Sequence, residues 1–231
     1  MIRTKMDQSV ERMGFQQILY NLVLYLPLKN LEIENGQSIH EIVERARDAY
    51  DAGNVDLDIG VLETLEACLS SKTGHPELGQ AKIENLSYLV EENQIERVGV
   101  DKKDAARFRS TGVFVGASFS YQISDENNTG GYTIGESLVC RGTPALVWMD
   151  NSDMLTKCTG RFLTVRGQVE GISTVDQYML NYYKVVKTQA EESLQKAIFE
   201  GKVTVSGHSK GGHEAAVLKL VYPEDFGECY M

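Results

Sequence analysis

The feature that most constrains this chain is a short β run that breaks into a glycine-rich turn and then a helix. Lys202-Val-Thr-Val-Ser206 reads as a strand, Gly207-His208-Ser209-Lys210-Gly211-Gly212 follows at once, and a helical apolar pattern runs on to Val221. Strand, sharp turn, helix is a βα unit, which places the chain among α/β layer structures. The pentad Gly207–Gly211 fits G-x-S-x-G in the context that gives that pattern its meaning. A serine at such an elbow is held in a strained backbone conformation that pushes its hydroxyl out above the sheet. Flanking glycines are needed where side chains would collide with the neighbouring strand and helix. The helix N-terminus beneath supplies free N–H groups and a partial positive charge where an oxyanion would form. The bland alternative is a Gly-rich turn carrying a surface serine.

The first hundred residues read mainly as helix. Phe15, Ile18, Leu19, Leu22, Val23 and Leu26 follow helical spacing after Asp7, and Pro27 ends the run. A second helix opens at Ser38, with Glu41 completing a capping box, Ile39, Ile42, Val43, Ala46 and Tyr50 as its buried stripe, and Gly53 as its stop. Val61–Leu69 is a third helix, and the acidic stretch Leu78–Glu96 reads as short helix and loop. The character changes near Arg107. Gly112–Ser124 alternates as a strand, Asp125–Gly131 is a turn cluster, and Tyr132–Cys140 is a second strand, so the pair forms a hairpin. One long helix is expected from about Ser173 to Phe199, stopped by Gly201. The chain therefore divides into a mainly helical segment, 1–105, and an α/β core, 106–231.

Composition narrows the function classes. The chain has 231 residues and a formal charge of −10, from 33 acidic and 23 basic side chains. An acidic surface repels phosphate backbones and gains nothing from anionic lipid heads, so no nucleic-acid partner is expected. The longest apolar stretch, near Ile18–Leu28, is interrupted by Tyr20, Asn21, Tyr25 and Pro27, and no integral membrane segment is expected. No export signal is visible at the N-terminus, and the widely spaced Cys68, Cys140, Cys158 and Cys229 read as free thiols of a cytoplasmic protein. No metal and no cofactor are expected. Asn54–Gly60 comes near a calcium loop, but Gly60 falls one position late and Leu65 stands where a glutamate is needed.

The elbow, with Arg141-Gly142-Thr143 after an earlier strand, resembles lipase-type α/β-hydrolases. It is most similar to the bacterial Mbeg1-like (DUF2974) group, whose elbow reads GHSKGGN and whose earlier strand ends in FRGT; this chain has GHSKGGH and CRGT. Trp148-Met149-Asp150 and the Tyr25–Leu28 end of the first helix are further echoes. The resemblance implies an α/β-hydrolase-like, mostly parallel sheet with flanking helices, incomplete at its C-terminus and preceded by the helical segment. It implies a serine hydrolase acting on a small-molecule or lipid ester, with Ser209 as the acyl-accepting nucleophile. The backbone N–H of Lys210 would be one oxyanion donor, and Thr143, through its N–H and hydroxyl, the second. Gly207, His208 and Gly211 would form the elbow, with Arg141 supporting its loop through a buried ion pair.

The rest of a catalytic triad is not evident. In α/β-hydrolases the order is Ser, then Asp or Glu, then His. Downstream of Ser209 lies only His213, inside the same helix, where the family carries Asn. His208 occupies the variable elbow position, His40 and His75 lie in the leader, and Asp225 has no later histidine to orient. A serine hydroxyl without its base is a poor nucleophile. Three accounts are open: the chain is a shortened version of a longer protein, which is the expected one; a second subunit completes the site; or the fold has outlived its reaction. The last corresponds to a non-catalytic α/β-hydrolase-like protein that binds a partner or an apolar ligand.

Overall fold

In the computed structural model of the chain, which describes residues 5–72, 74–89, 114–124, 132–142 and 174–231, the leader begins with three helices. They are α1 (Lys5–Leu24), α2 (Ile39–Asp51) and α3 (Ile59–Leu69), followed by a short 3₁₀ segment, Pro76–Gln80. The capping box forms as expected: Ser38 N–H donates to Glu41 Oε2 at 2.7 Å, and Glu41 N–H donates to Ser38 Oγ at 3.3 Å. Gly53 ends α2 in the left-handed region at φ 70°. Asp58, in the stretch that comes near a calcium loop, caps α3, its Oδ1 accepting from Gly60 N–H at 2.9 Å. Two residues of the expected buried stripes face outward instead. Tyr50 is 38% exposed and lies under the Arg47 guanidinium, and Ile18 is 58% exposed.

Among the described residues the sheet has five strands in the order β1-β2-β3-β4-β5: Lys82–Leu89, Phe114–Ser124, Tyr132–Cys140, Val203–Gly207 and Phe226–Tyr230. The hairpin is β2 and β3, antiparallel in unbroken register from Gly116↔Cys140 to Ser124↔Tyr132. Its turn, Asp125–Gly131, lies outside the described residues. β1 adds antiparallel to β2, whereas β4 and β5 add parallel on the other side. The sheet is thus mixed rather than mostly parallel, because a tight hairpin can join only antiparallel strands. Residues 82–89, expected as helix and loop, are an edge strand, so the leader contributes to the sheet as well as covering it. The single long helix is two, α4 (Thr174–Gln189) and α5 (Glu192–Phe199). The helix after the elbow is α6 (Lys210–Val221).

Adjacent β3 residues face opposite layers, as strand pleating requires. Val139 joins the apolar cluster made with α1, α2 and α3, while Leu138 and Cys140 join the one made with α4, α5 and α6. Helices therefore cover both faces, and β4 lies between β3 and β5 with its C-terminal end pointing at the turn that carries Ser209.

Candidate active site

Val203 and Val205 are buried under the α4–α6 layer and fix β4 as an inner strand. The chain then reverses sharply. Ser209 sits at φ 58°, ψ −118°, while its neighbours begin α6: Gly212 N–H donates to Ser209 O at 3.0 Å and His213 N–H to the same oxygen at 3.2 Å. A positive φ disfavours L-residues, and this ψ lies far from the left-handed helical well that eases such positions. Ser209 and His208 are exposed, whereas Gly207, Lys210 and Gly211 are buried.

Both elbow glycines are required by space. A Cβ on Gly207 would stand 2.0 Å from Gly211 O, and one on Gly211 would stand 2.0 Å from Cys140 O. The elbow is thus wedged between the first turn of α6 and the end of β3, the register pairing Cys140 with Gly207. Beyond Cys140 the Arg141–Gly142 turn runs directly against it, where a Cβ on Gly142 would meet Tyr25 Oη at 2.1 Å and His208 O at 2.4 Å. The two stretches singled out in the sequence are therefore neighbours in space. Thr143, the second expected oxyanion donor, lies outside the described residues.

Arg141 is among the largest fully buried side chains. Lys210 does not reach solvent: its side chain is fully buried with that of Glu214, Nζ to Oε1 being 3.8 Å one helical turn apart. Its backbone N–H belongs to the first turn of α6, where helical geometry leaves donors without intrahelical acceptors.

The leader supplies groups that the sequence did not assign to the site. Tyr25 Oη lies 2.9 Å from His208 Nδ1, the two rings meeting edge to face. Burial pushes the Tyr25 hydroxyl pKa above its ordinary value, and the nearby Arg141 charge draws it part of the way back. Deeper in, Gln17 Nε2 donates to Ser137 Oγ at 3.0 Å and Ser206 Oγ donates to Gln17 Oε1 at 2.9 Å. Asn21 Nδ2 donates to Ser206 Oγ at 3.2 Å and to Gln17 O at 2.8 Å. This buried network ties α1 to the strands on either side of the β3–β4 ladder. Its signal in the sequence was the set of amides, Gln16, Gln17 and Asn21, interrupting an apolar helix.

The histidines are dispersed. His40 Nε2 contacts Pro76 O at 2.9 Å, and His75 Nδ1 contacts Glu77 Oε1 at 3.2 Å, both within the leader. His213 is half-buried on α6. Asp225 is held by Tyr183 Oη at 2.9 Å and Lys187 Nζ at 2.5 Å, joining α4 to the start of β5. No helix among the described residues is long and apolar enough to cross a membrane.

No curated protein and no solved structure matches the chain significantly. A family model described as Lipase (class 3) matches residues 137–226, from β3 through the elbow to the first residue of β5. Over that stretch, which is less than half of the chain, the protein is lipase-like, and the similarity implies an α/β-hydrolase type of fold.

Proposed function

We propose that this chain is a lipase-like serine hydrolase that cleaves a carboxylic ester of a lipid through Ser209. The observation that carries the reading is the backbone of Ser209, exposed at φ 58°, ψ −118° between β4 and α6, inside the segment similar to class 3 lipases. Ser209 Oγ adds to the ester carbonyl carbon and the carbonyl oxygen takes up the negative charge. The C–O bond to the alcohol then breaks, and water hydrolyses the resulting acyl-serine. The backbone N–H of Lys210 and that of Thr143, with its hydroxyl, are the assigned oxyanion donors, each worth about 3 kcal/mol in comparable sites. The packing of Gly142 against His208 supports that pairing, since it brings the turn before Thr143 to the elbow. The proton leaving Ser209 needs a base. We assign it to none of the four histidines: His40 and His75 are engaged within the leader, His208 faces Tyr25, and His213 lies one turn along α6 from Ser209. Among lipase-like families the reading leans to the Mbeg1-like group, on the strength of Arg141-Gly142-Thr143 and the Gly207–Gly212 string.

The test is direct. The purified chain is incubated with a fluorophosphonate probe and with short-chain nitrophenyl esters, beside Ser209→Ala. Labelling and turnover in the parent, both absent in the variant, are the expected result. Labelling absent from both proteins would sink the hydrolase reading for this chain.

A further inference from the structure

Three stretches that lie far apart in the sequence meet at one hydroxyl. Tyr25 directly follows α1, and its place is fixed by its surroundings. Leu24 and Leu26 on either side are buried, and Tyr25 N–H donates to Leu22 O and Leu26 N–H to Val23 O, both at 3.1 Å. From that base the ring reaches the elbow, where Oη lies 2.9 Å from His208 Nδ1. The same oxygen is 2.1 Å from where a Cβ on residue 142 would stand, so the hydroxyl fills the space that a side chain would take on Gly142. His208 O borders that space at 2.4 Å. Gly142 is therefore held between the tyrosine hydroxyl and the elbow backbone.

Packing alone would be served by a phenylalanine. The hydroxyl is what meets both the turn and the ring nitrogen, and burial favours its protonated form. The bonds from Gln17 and Asn21 to Ser206 fix α1 on β4 one residue before Gly207, so tyrosine and elbow share one frame. Two donors serve one oxyanion only when both lie within hydrogen-bond distance of it. A misplacement of about 1 Å can cost roughly a hundredfold in rate. We infer that Tyr25 is a positioning residue: its hydroxyl clamps the Arg141–Gly142 turn to the elbow and so sets the spacing of the two oxyanion donors. It acts through Gly142 and His208 rather than on the ester. The inference rests on the hydrolase reading for its effect on rate, whereas the hold on the turn belongs to the folded chain alone.

The experiment measures backbone amide hydrogen exchange, by mass spectrometry, and phosphonylation by a short-chain fluorophosphonate. It compares the whole parent chain with Tyr25→Phe and His208→Ala. The first variant removes only the oxygen. The second removes its ring-nitrogen partner and remains informative should the first fail to fold. Tyr182→Phe, which loses a hydroxyl donating to Asn85 O at 2.8 Å, is the control. Exchange at least tenfold faster over 140–142 and 207–211 in each folded clamp variant, and unchanged in the control, is the expected result. The maximal phosphonylation rate should fall at least tenfold in the same variants, with the half-saturating concentration unchanged. Parental exchange at both stretches in a folded clamp variant overturns the proposal, and so does faster exchange with a parental phosphonylation rate. A parent that is never phosphonylated removes the hydrolase reading. Faster exchange in its variants then still upholds the clamp, and unchanged exchange overturns it.

Discussion

Ser209 carries a conformation that its residue type does not favour, and its neighbours show why it is held there. Gly211 packs into the Cys140 carbonyl and Gly207 into the first turn of α6, so the backbone between them has little choice of path. Holding a non-glycine residue at positive φ costs on the order of 1–2 kcal/mol. Replacing Ser209 by Gly should therefore raise stability by about 1 kcal/mol in urea denaturation while abolishing phosphonate labelling. Ser209→Ala keeps a Cβ, so it should abolish labelling with no such gain. Equal stability of the two variants would mean that the elbow is not strained. Gly211→Ala tests the wedge from the other side. Its Cβ would fall 2.0 Å from a backbone oxygen, which no rotamer can relieve. Overpacking of this kind costs about 3 kcal/mol, and a Gly211→Ala protein as stable as the parent would contradict the close approach.

At the scale of elements, the α1 contact with β3 and β4 carries a buried polar network beside the apolar packing of Leu19, Val23 and Val139. Gln17 holds both Ser137 and Ser206, so Gln17→Leu would leave two buried hydroxyls to find other partners. The expected loss is about 2–3 kcal/mol. Removing the hydroxyls together with the amide, as Gln17→Leu with Ser137→Ala and Ser206→Ala, should recover part of it. Both changes are read by equilibrium denaturation, and a triple variant worse than the single one would show that the network is not coupled. The sequence made some elements plain and hid others for identifiable reasons. The capping box at Ser38, the β2–β3 alternation and the strand–elbow–helix were legible because each depends on residues near one another in the chain. β1 was not, since its register shifts between Glu84 and Ser87 with Asn85 at φ 51°, which breaks the two-residue alternation. The gap between α4 and α5 contains neither Gly nor Pro. Ala190 N–H closes α4 onto Val186 O at 2.9 Å, and Gln195 Nε2 takes the Ala190 carbonyl at 2.8 Å, a cap made by a later side chain. β5 is a five-residue strand containing Gly227 and Glu228, with no periodicity to announce it. At the site, Ser209 and its glycines were readable, whereas Tyr25 reaches the elbow only through tertiary packing.

For the molecule as a whole, the acidic excess is not all at the surface. Glu136 of β3 is 4% exposed, and carboxylates from two other parts of the chain act on it, Glu84 of β1 and Glu191 at the start of α5. Burial first, then these two charges, pushes its pKa up to about 7, against a partial counter-effect from Ser193. The sign follows from which state holds the proton. Below the ordinary carboxylate value of 4.5 both folded and unfolded chains are protonated at this position, and the buried acid is neutral. Between 4.5 and about 7 the unfolded chain has released its proton while the folded one retains it, so folding stability falls as pH rises. Above about 7 the folded chain carries the buried charge and the loss is complete. Its size is on the order of 2 kcal/mol, below the full linkage value of a shift of this kind because Glu136 keeps hydrogen-bonding and polar neighbours. Glu136→Gln preserves shape and cannot ionise. It should match the parent near pH 4.5, then exceed it by a margin that grows to about 2 kcal/mol by pH 8. Urea denaturation of both proteins at pH 5, 6.5 and 8 isolates this contribution, since the remaining groups titrate alike in each. A difference that stays constant across that range would show that Glu136 is already ionised in the folded protein at pH 5. The elements that bring the three carboxylates together would then hold against their repulsion by means other than the proton.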